Sequence, residues 1–195
     1  MNYIETAVPG IWLLEPAVFG DSRGYFMETY KQADFERHIG AVSFVQDNES
    51  CSVKGVLRGL HYQLAPHAQA KLVRVIRGTV LDVAVDIRRH SPTFGKACAI
   101  ELSGENKWQL FIPQGFAHGF HVLSETAVFT YKVDHPYDPA SERGIRFDDP
   151  AIGIDWKLAG QAEAPILSGK DLKLPLLKDA ELNFDGLLNG KGVMP

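Results

Sequence analysis

Cysteine is scarce in this chain. Cys51 and Cys98 are the only two among 195 residues, with neither the spacing of a zinc site nor the numbers for a disulfide framework. They are expected as buried free thiols. The opening residues, with Glu5 and Glu15 among them, lack the basic-then-apolar order of a secretory leader. No apolar run reaches the roughly 18 residues of a membrane span, so a cytoplasmic protein that does not enter the membrane is expected. Positive charge is short as well: 20 Lys and Arg against 24 Asp and Glu give a net charge of −4, and the basic residues are scattered. That argues against nucleic acid as a partner, because backbone binding needs a broad cationic face. An anionic ligand must be caught by a few local cations. Repeats, low-complexity segments and linkers are missing too, so residues 1–195 read as one domain, with a loose tail after about Lys178 ("FDGLLNGKG").

What is present is turn residues and alternation. With 18 Gly, 11 Pro and 45% hydrophobic residues, the chain suggests a β-rich fold with many turns. From Val80 to Ile87, the residues Leu81, Val83, Val85 and Ile87 share one face and Asp82, Ala84 and Asp86 the other, which predicts a strand buried on one side. The preceding "KLVRVIRG" ends at Gly78 and Thr79, which predicts a hairpin between the two. Further strands are predicted at 11–14, 25–29, 44–51, 56–63, 96–102, 109–112, 119–123 and 127–133, and a helix over 31–39. Many short strands of regular spacing predict an antiparallel sandwich or barrel.

Titratable residues fall on faces that should point inward. Alternation puts Phe129, Tyr131 and Val133 on the apolar face of their strand, so Tyr131 is either a satisfied core tyrosine or a phenol presented to a cavity. In "GVLRGLHYQ", Arg58 and His61 lie on opposite faces of a regular strand. They can share a cavity only if the ladder is interrupted, and Gly59 is the natural place for a bulge. Gln46 and Asn48 share a face, as do Phe26 and Glu28. Such pairs can read the edge of a heterocycle, with Phe26 or Tyr137 as a stacking surface, or can be solvated edge residues. The seven histidines contain no His-x-His pair, and His118 and His121 face opposite ways, so no metal site is expected.

Six strings in order, "DSRGYFMETY" (21–30), "FVQDNES" (44–50), "GVLRGLHYQ" (55–63), "KLVRVIRGTVLDVAVDIRRHSPTFGK" (71–96), "FIPQGFAHGF" (111–120) and "TYKVDHPYDPASERG" (130–144), resemble the dTDP-4-dehydrorhamnose 3,5-epimerase family. The resemblance implies an all-β, cupin-like antiparallel jelly-roll barrel with a few short helices. It also implies a homodimer without metal or other cofactor, acting in the formation of dTDP-L-rhamnose. By position it makes His61 the base, Tyr131 the opposing acid, Asp171 (in "LSGKD") the carboxylate that orients His61, and Lys71 the cation near the substrate carbonyl. Arg23, Arg58, His118, Glu142 and Lys170 match contacts to diphosphate or sugar. Glu28, Gln46 and Asn48 match nucleotide contacts, and Tyr137 the ring that stacks on thymine. The resemblance further implies that residues around Arg23 and Glu28 reach a neighbouring subunit's site.

The chemistry so implied suits these residue types. A C4 ketone acidifies the hydrogens on C3 and C5, and inversion needs a base on one face of the sugar and an acid on the other. An imidazole backed by a carboxylate serves the first role, and a phenol, neutral at pH 7, the second. Enzymes of similar sequence that invert C3 alone or C5 alone are the competing expectation.

Overall fold

The computed structural model describes residues 1–158 and 164–185. Among them are β1 (Asn2–Glu5), β2 (Trp12–Glu15), β3 (Val18–Asp21), β4 (Gly24–Met27), α1 (Gln32–His38), β5 (Gln46–Val53), β6 (Leu57–Gln63), β7 (Lys71–Arg77), β8 (Thr79–Asp86), β9 (Ala97–Ser103), β10 (Gln109–Ile112), β11 (Phe116–Val122), β12 (Thr126–Val133) and β13 (Glu142–Gly144). One sheet runs β1-β2-β10-β7-β12-β5, a second runs β13-β6-β11-β8-β9, and β3 and β4 form a separate hairpin. All the ladders between these strands are antiparallel, as the expected all-β jelly roll requires. No helix among the described residues is long and apolar enough to cross a membrane.

The period-two pattern fixes what each sheet hides. Val73 and Val75 of β7 and Phe129 of β12 meet Val80 and Ala84 of β8 and Phe120 and Val122 of β11 between the sheets. Each buried Val or Phe among them stabilises by about 1.5–3 kcal/mol. The outer face of the six-stranded sheet is partly covered by α1, whose Phe35 packs on Leu14, Leu72 and Phe111. The helix is short but oriented to suit its dipole, with Asp34 in the first turn and Arg37 and His38 in the last.

Four sequence expectations need correction. First, β7 and β8 are not a hairpin: they belong to different sheets, and the single residue between them, Gly78, is too short a loop for one. Gly78 has φ +82°, and a Cβ there would stand 2.0 Å from the Thr126 carbonyl oxygen, so only glycine lets the chain turn from one sheet to the other. Second, β8 is buried on both faces: Leu81, Val83 and Val85 face the layer that covers the five-stranded sheet, while Asp82 and Asp86 are also fully buried. The carboxylates can be buried because both are bonded, Asp82 to His118 and Asp86 to Arg88, Ser91 and Thr93.

Third, the tail expected to be loose from about Lys178 is packed as far as it is described. Phe184 is 1% exposed against Tyr62, and the Tyr62 hydroxyl donates to the Glu181 carbonyl at 2.8 Å. Residues 186–195 lie outside the described part. Fourth, Cys51 is exposed rather than buried, because it points outward from the edge strand β5.

Candidate active site

β6 and β11 run side by side in the five-stranded sheet, and their register slips at Gly59. His61 stands opposite His118 but Arg58 stands opposite Phe120, so three steps of β6 span two of β11. Gly59 has φ +121°, and a Cβ on it would lie 2.6 Å from the Gly119 Cα. Glycine is required on both grounds. The bulge brings Arg58 and His61 into one cavity of about 600 Å³ between the two sheets. His118 of β11 lines the same wall. The facing wall comes from the six-stranded sheet: Lys71 of β7, Phe129 and Tyr131 of β12, and Asn48 of β5.

His61 is held by a carboxylate from 110 residues further along the chain, its Nε2–H donating to Asp171 Oδ1 at 2.5 Å. That tautomer leaves the lone pair on Nδ1. Asp171 is 3% exposed, at the start of a short 3₁₀ turn over Asp171–Lys173. The segment before it is pinned to β6: the Leu57 N–H donates to the Ile166 carbonyl at 3.0 Å, and the Ile166 N–H to the Gly55 carbonyl at 2.8 Å. Burial works against ionising Asp171, but the hydrogen bonds and charge of His61, with Ser168, outweigh it and hold the carboxyl below the usual range.

Tyr131 faces the cavity, and its hydroxyl has no protein partner among the described residues. Burial and the nearby Glu142 push its pKa up against the pull of Arg58, so the phenol keeps its proton at neutral pH. Lys71 stands 5.9 Å from the Tyr131 ring centroid. Ringed by protein, its ammonium is pushed down to about 8, with Asp82 and Glu142 resisting the fall.

The remaining expected site residues divide in two. Glu142 lines the cavity, and its Oε2 accepts from the Tyr137 hydroxyl at 3.0 Å and Lys170 Nζ at 3.3 Å. The Tyr137 N–H donates to Gln46, whose Nε2 donates to Asn48, so these five residues form one connected rim. Arg23, Phe26 and Glu28 are not brought to this cavity. They are exposed on and just beyond the β3–β4 hairpin, Phe26 at 67%, with Arg23 paired to Asp21 of the same turn. His121 points away and bonds the Trp156 carbonyl, and no three His, Cys, Asp or Glu side chains among the described residues converge as metal ligands.

Asp82 escaped the sequence reading. It accepts from His118 Nε2 at 2.9 Å through Oδ1 and is fully buried. The available signal was a carboxylate in the middle of a strand otherwise made of Val, Leu and Ala, on the face that alternation assigns away from Leu81 and Val83.

The sequence model of the dTDP-4-dehydrorhamnose 3,5-epimerase family matches residues 5–179. A dTDP-4-dehydrorhamnose 3,5-epimerase of Salmonella typhimurium is 55% identical over 183 residues, covering 93% of this chain and 98% of that protein. A crystal structure of the enzyme of that name from Elizabethkingia anophelis superposes with a TM-score of 0.87 at 52% identity, over 92% of this chain and 97% of that one. The dTDP-6-deoxy-D-glucose-3,5-epimerase of Legionella pneumophila, solved with dTDP-4-keto-L-rhamnose, gives 0.86 at 49% identity, over 91% and 93%. Fold, cavity and these likenesses agree: the chain belongs to the dTDP-4-dehydrorhamnose 3,5-epimerase family.

Proposed function

We propose that the protein inverts C3 and C5 of dTDP-4-dehydro-6-deoxy-D-glucose to give dTDP-4-dehydro-L-rhamnose. The observation that carries this reading is the placement of His61 and Tyr131 on opposite walls of one cavity, one ring from each sheet. With the sugar between them, His61 Nδ1 takes the proton from C3 or C5, and Asp171 stabilises the imidazolium that results. The electron pair moves onto the C4 oxygen, where Lys71 meets the charge as it develops. Tyr131 returns a proton to the opposite face. Arg58, His118, Glu142 and Lys170 hold sugar and diphosphate, while Gln46, Asn48 and Tyr137 receive the nucleotide, so remote binding energy positions the ring.

Incubation with substrate in heavy water tests this. Deuterium at both C3 and C5 is expected. Deuterium at only one carbon makes the protein a single-site epimerase for another deoxysugar, and none at either leaves it a binding protein.

The active form is a homodimer in which Arg23, Phe26 and Glu28 serve the neighbouring subunit's site. Supporting this, the β3–β4 hairpin leaves Phe19, Tyr25 and Phe26 more than half exposed, which a monomer has no reason to do. Mixing Arg23→Ala and His61→Ala subunits, each weak alone, should restore about a quarter of native activity, since half the dimers are mixed and each has one intact site. No recovery on mixing would place Arg23 outside the partner's site. Free thiols at Cys51 and Cys98 suit a cytoplasmic enzyme.

A further inference from the structure

Asp82 has two carboxylate oxygens in the protein interior, and only one is used. Oδ1 accepts from His118 Nε2 at 2.9 Å, whereas Oδ2 is buried without a hydrogen-bond partner among the described residues. Across the same interior stands Lys71, which makes no hydrogen bond or ion pair among the described residues and whose Nζ lies 5.9 Å from the Tyr131 ring centroid. An uncompensated carboxylate and an uncompensated ammonium are each costly in a low dielectric, and each relieves the other over a longer distance than a hydrogen bond spans. We infer that Asp82 is a positioning residue for the reaction: one oxygen fixes His118, and the other keeps the Lys71 ammonium charged where the enolate oxygen forms. This rests on the reading of Lys71 as the cation that meets that oxygen.

The groups around Lys71 single out Asp82. Tyr131 on β12 is a protonated phenol. Arg58, His61 and His118 on β6 and β11 bring no negative charge. Glu142 on β13 also favours the ammonium, but it already receives Lys170 and Tyr137 on one oxygen, so much of its charge is answered. Asp171 is answered by His61, and Glu49, which borders the cavity, is exposed on the edge strand β5, where solvent screens its charge. Of these carboxylates Asp82 combines full burial, an oxygen without a partner among the described residues, and a direct bond to His118, which lines the cavity.

The test follows the Lys71 side chain itself, by NMR of lysine labelled with carbon-13 at Cε, with Lys71→Met used to assign the signal. In Asp82→Asn the Lys71 titration midpoint should move down by about one pH unit or more, and the alkaline fall of kcat should move with it. Asp82→Glu, which keeps the charge, should return the midpoint toward the native value. His118→Gln should not lower it, because the carboxylate remains. A folded Asp82→Asn with an unmoved Lys71 midpoint overturns the inference, and so does a fall in His118→Gln, an arm that survives even if Asp82→Asn does not fold. The premise fails separately: a Lys71→Met enzyme with native kcat removes Lys71 from the chemistry whatever Asp82 does to its titration.

Discussion

His61→Ala should lower the rate of solvent hydrogen exchange into the substrate by about a thousandfold, and by similar factors at C3 and C5. The common factor follows from geometry. A single ketone acidifies both hydrogens, and of the two imidazoles on the wall formed by β6 and β11, each bonded to a carboxylate, His61 is the one open to the cavity, its side chain 35% exposed against 8% for His118. Proton-transfer NMR in heavy water reads both positions in one experiment. Exchange that persists at either carbon assigns that carbon to a different base. The substitution also leaves the buried Asp171 carboxylate without its imidazole partner, which should cost about 1–3 kcal/mol of stability. The sign with pH separates this from catalysis. Because the folded pKa of Asp171 is depressed, its stabilising contribution is present above the ordinary carboxylate value of about 4 and is lost as the pH falls below it. The stability gap between variant and native protein should therefore be wide at neutral pH and narrow in acid, while the loss of exchange is seen wherever the protein is folded.

Much of this site was legible because its parts obey local rules. Alternation alone puts Tyr131 with Phe129 on an inward face. Gly59 between Arg58 and His61 is where a strand can slip, and the slip occurs there. What was not legible depends on partners distant in sequence. The β7 and β8 strings have the pattern of a hairpin, yet each pairs elsewhere, β7 with β10 and β12 and β8 with β9 and β11, and no pattern within either string names those neighbours. Phe184 sits in a stretch of Gly, Asn and Leu, and only the distant Tyr62 makes it a core residue. Asp82 reads as the solvent face of a half-buried strand until His118 is brought against it. Arg23 and Glu28 stand exposed away from the cavity of their own chain, so the part proposed for them in a neighbouring subunit's site depends on contacts that one chain does not contain.

Lys71→Met should be less active and more stable than the native protein. An enolate oxygen that loses the ammonium proposed to meet it forgoes about 3 kcal/mol of transition-state stabilisation, roughly a hundredfold or more in kcat with little change in KM. Native kcat should fall as the pH rises through about 8, since the ammonium is the active form and is the one lost; the variant should lack that limb. Stability runs the other way. The ammonium is harder to hold in the folded protein than in the unfolded chain, whose lysines titrate near 10.4. Between about 8 and that value the unfolded state binds more protons, so native stability rises with pH, and below about 8 the full penalty of the buried charge is present. Methionine removes the charge and keeps much of the volume, so thermal unfolding at pH 7 should move to higher temperature. A variant that loses both activity and stability would make Lys71 a structural residue. One that loses activity while melting higher can have lost only its chemistry, because a misfolded cavity does not make a protein harder to unfold.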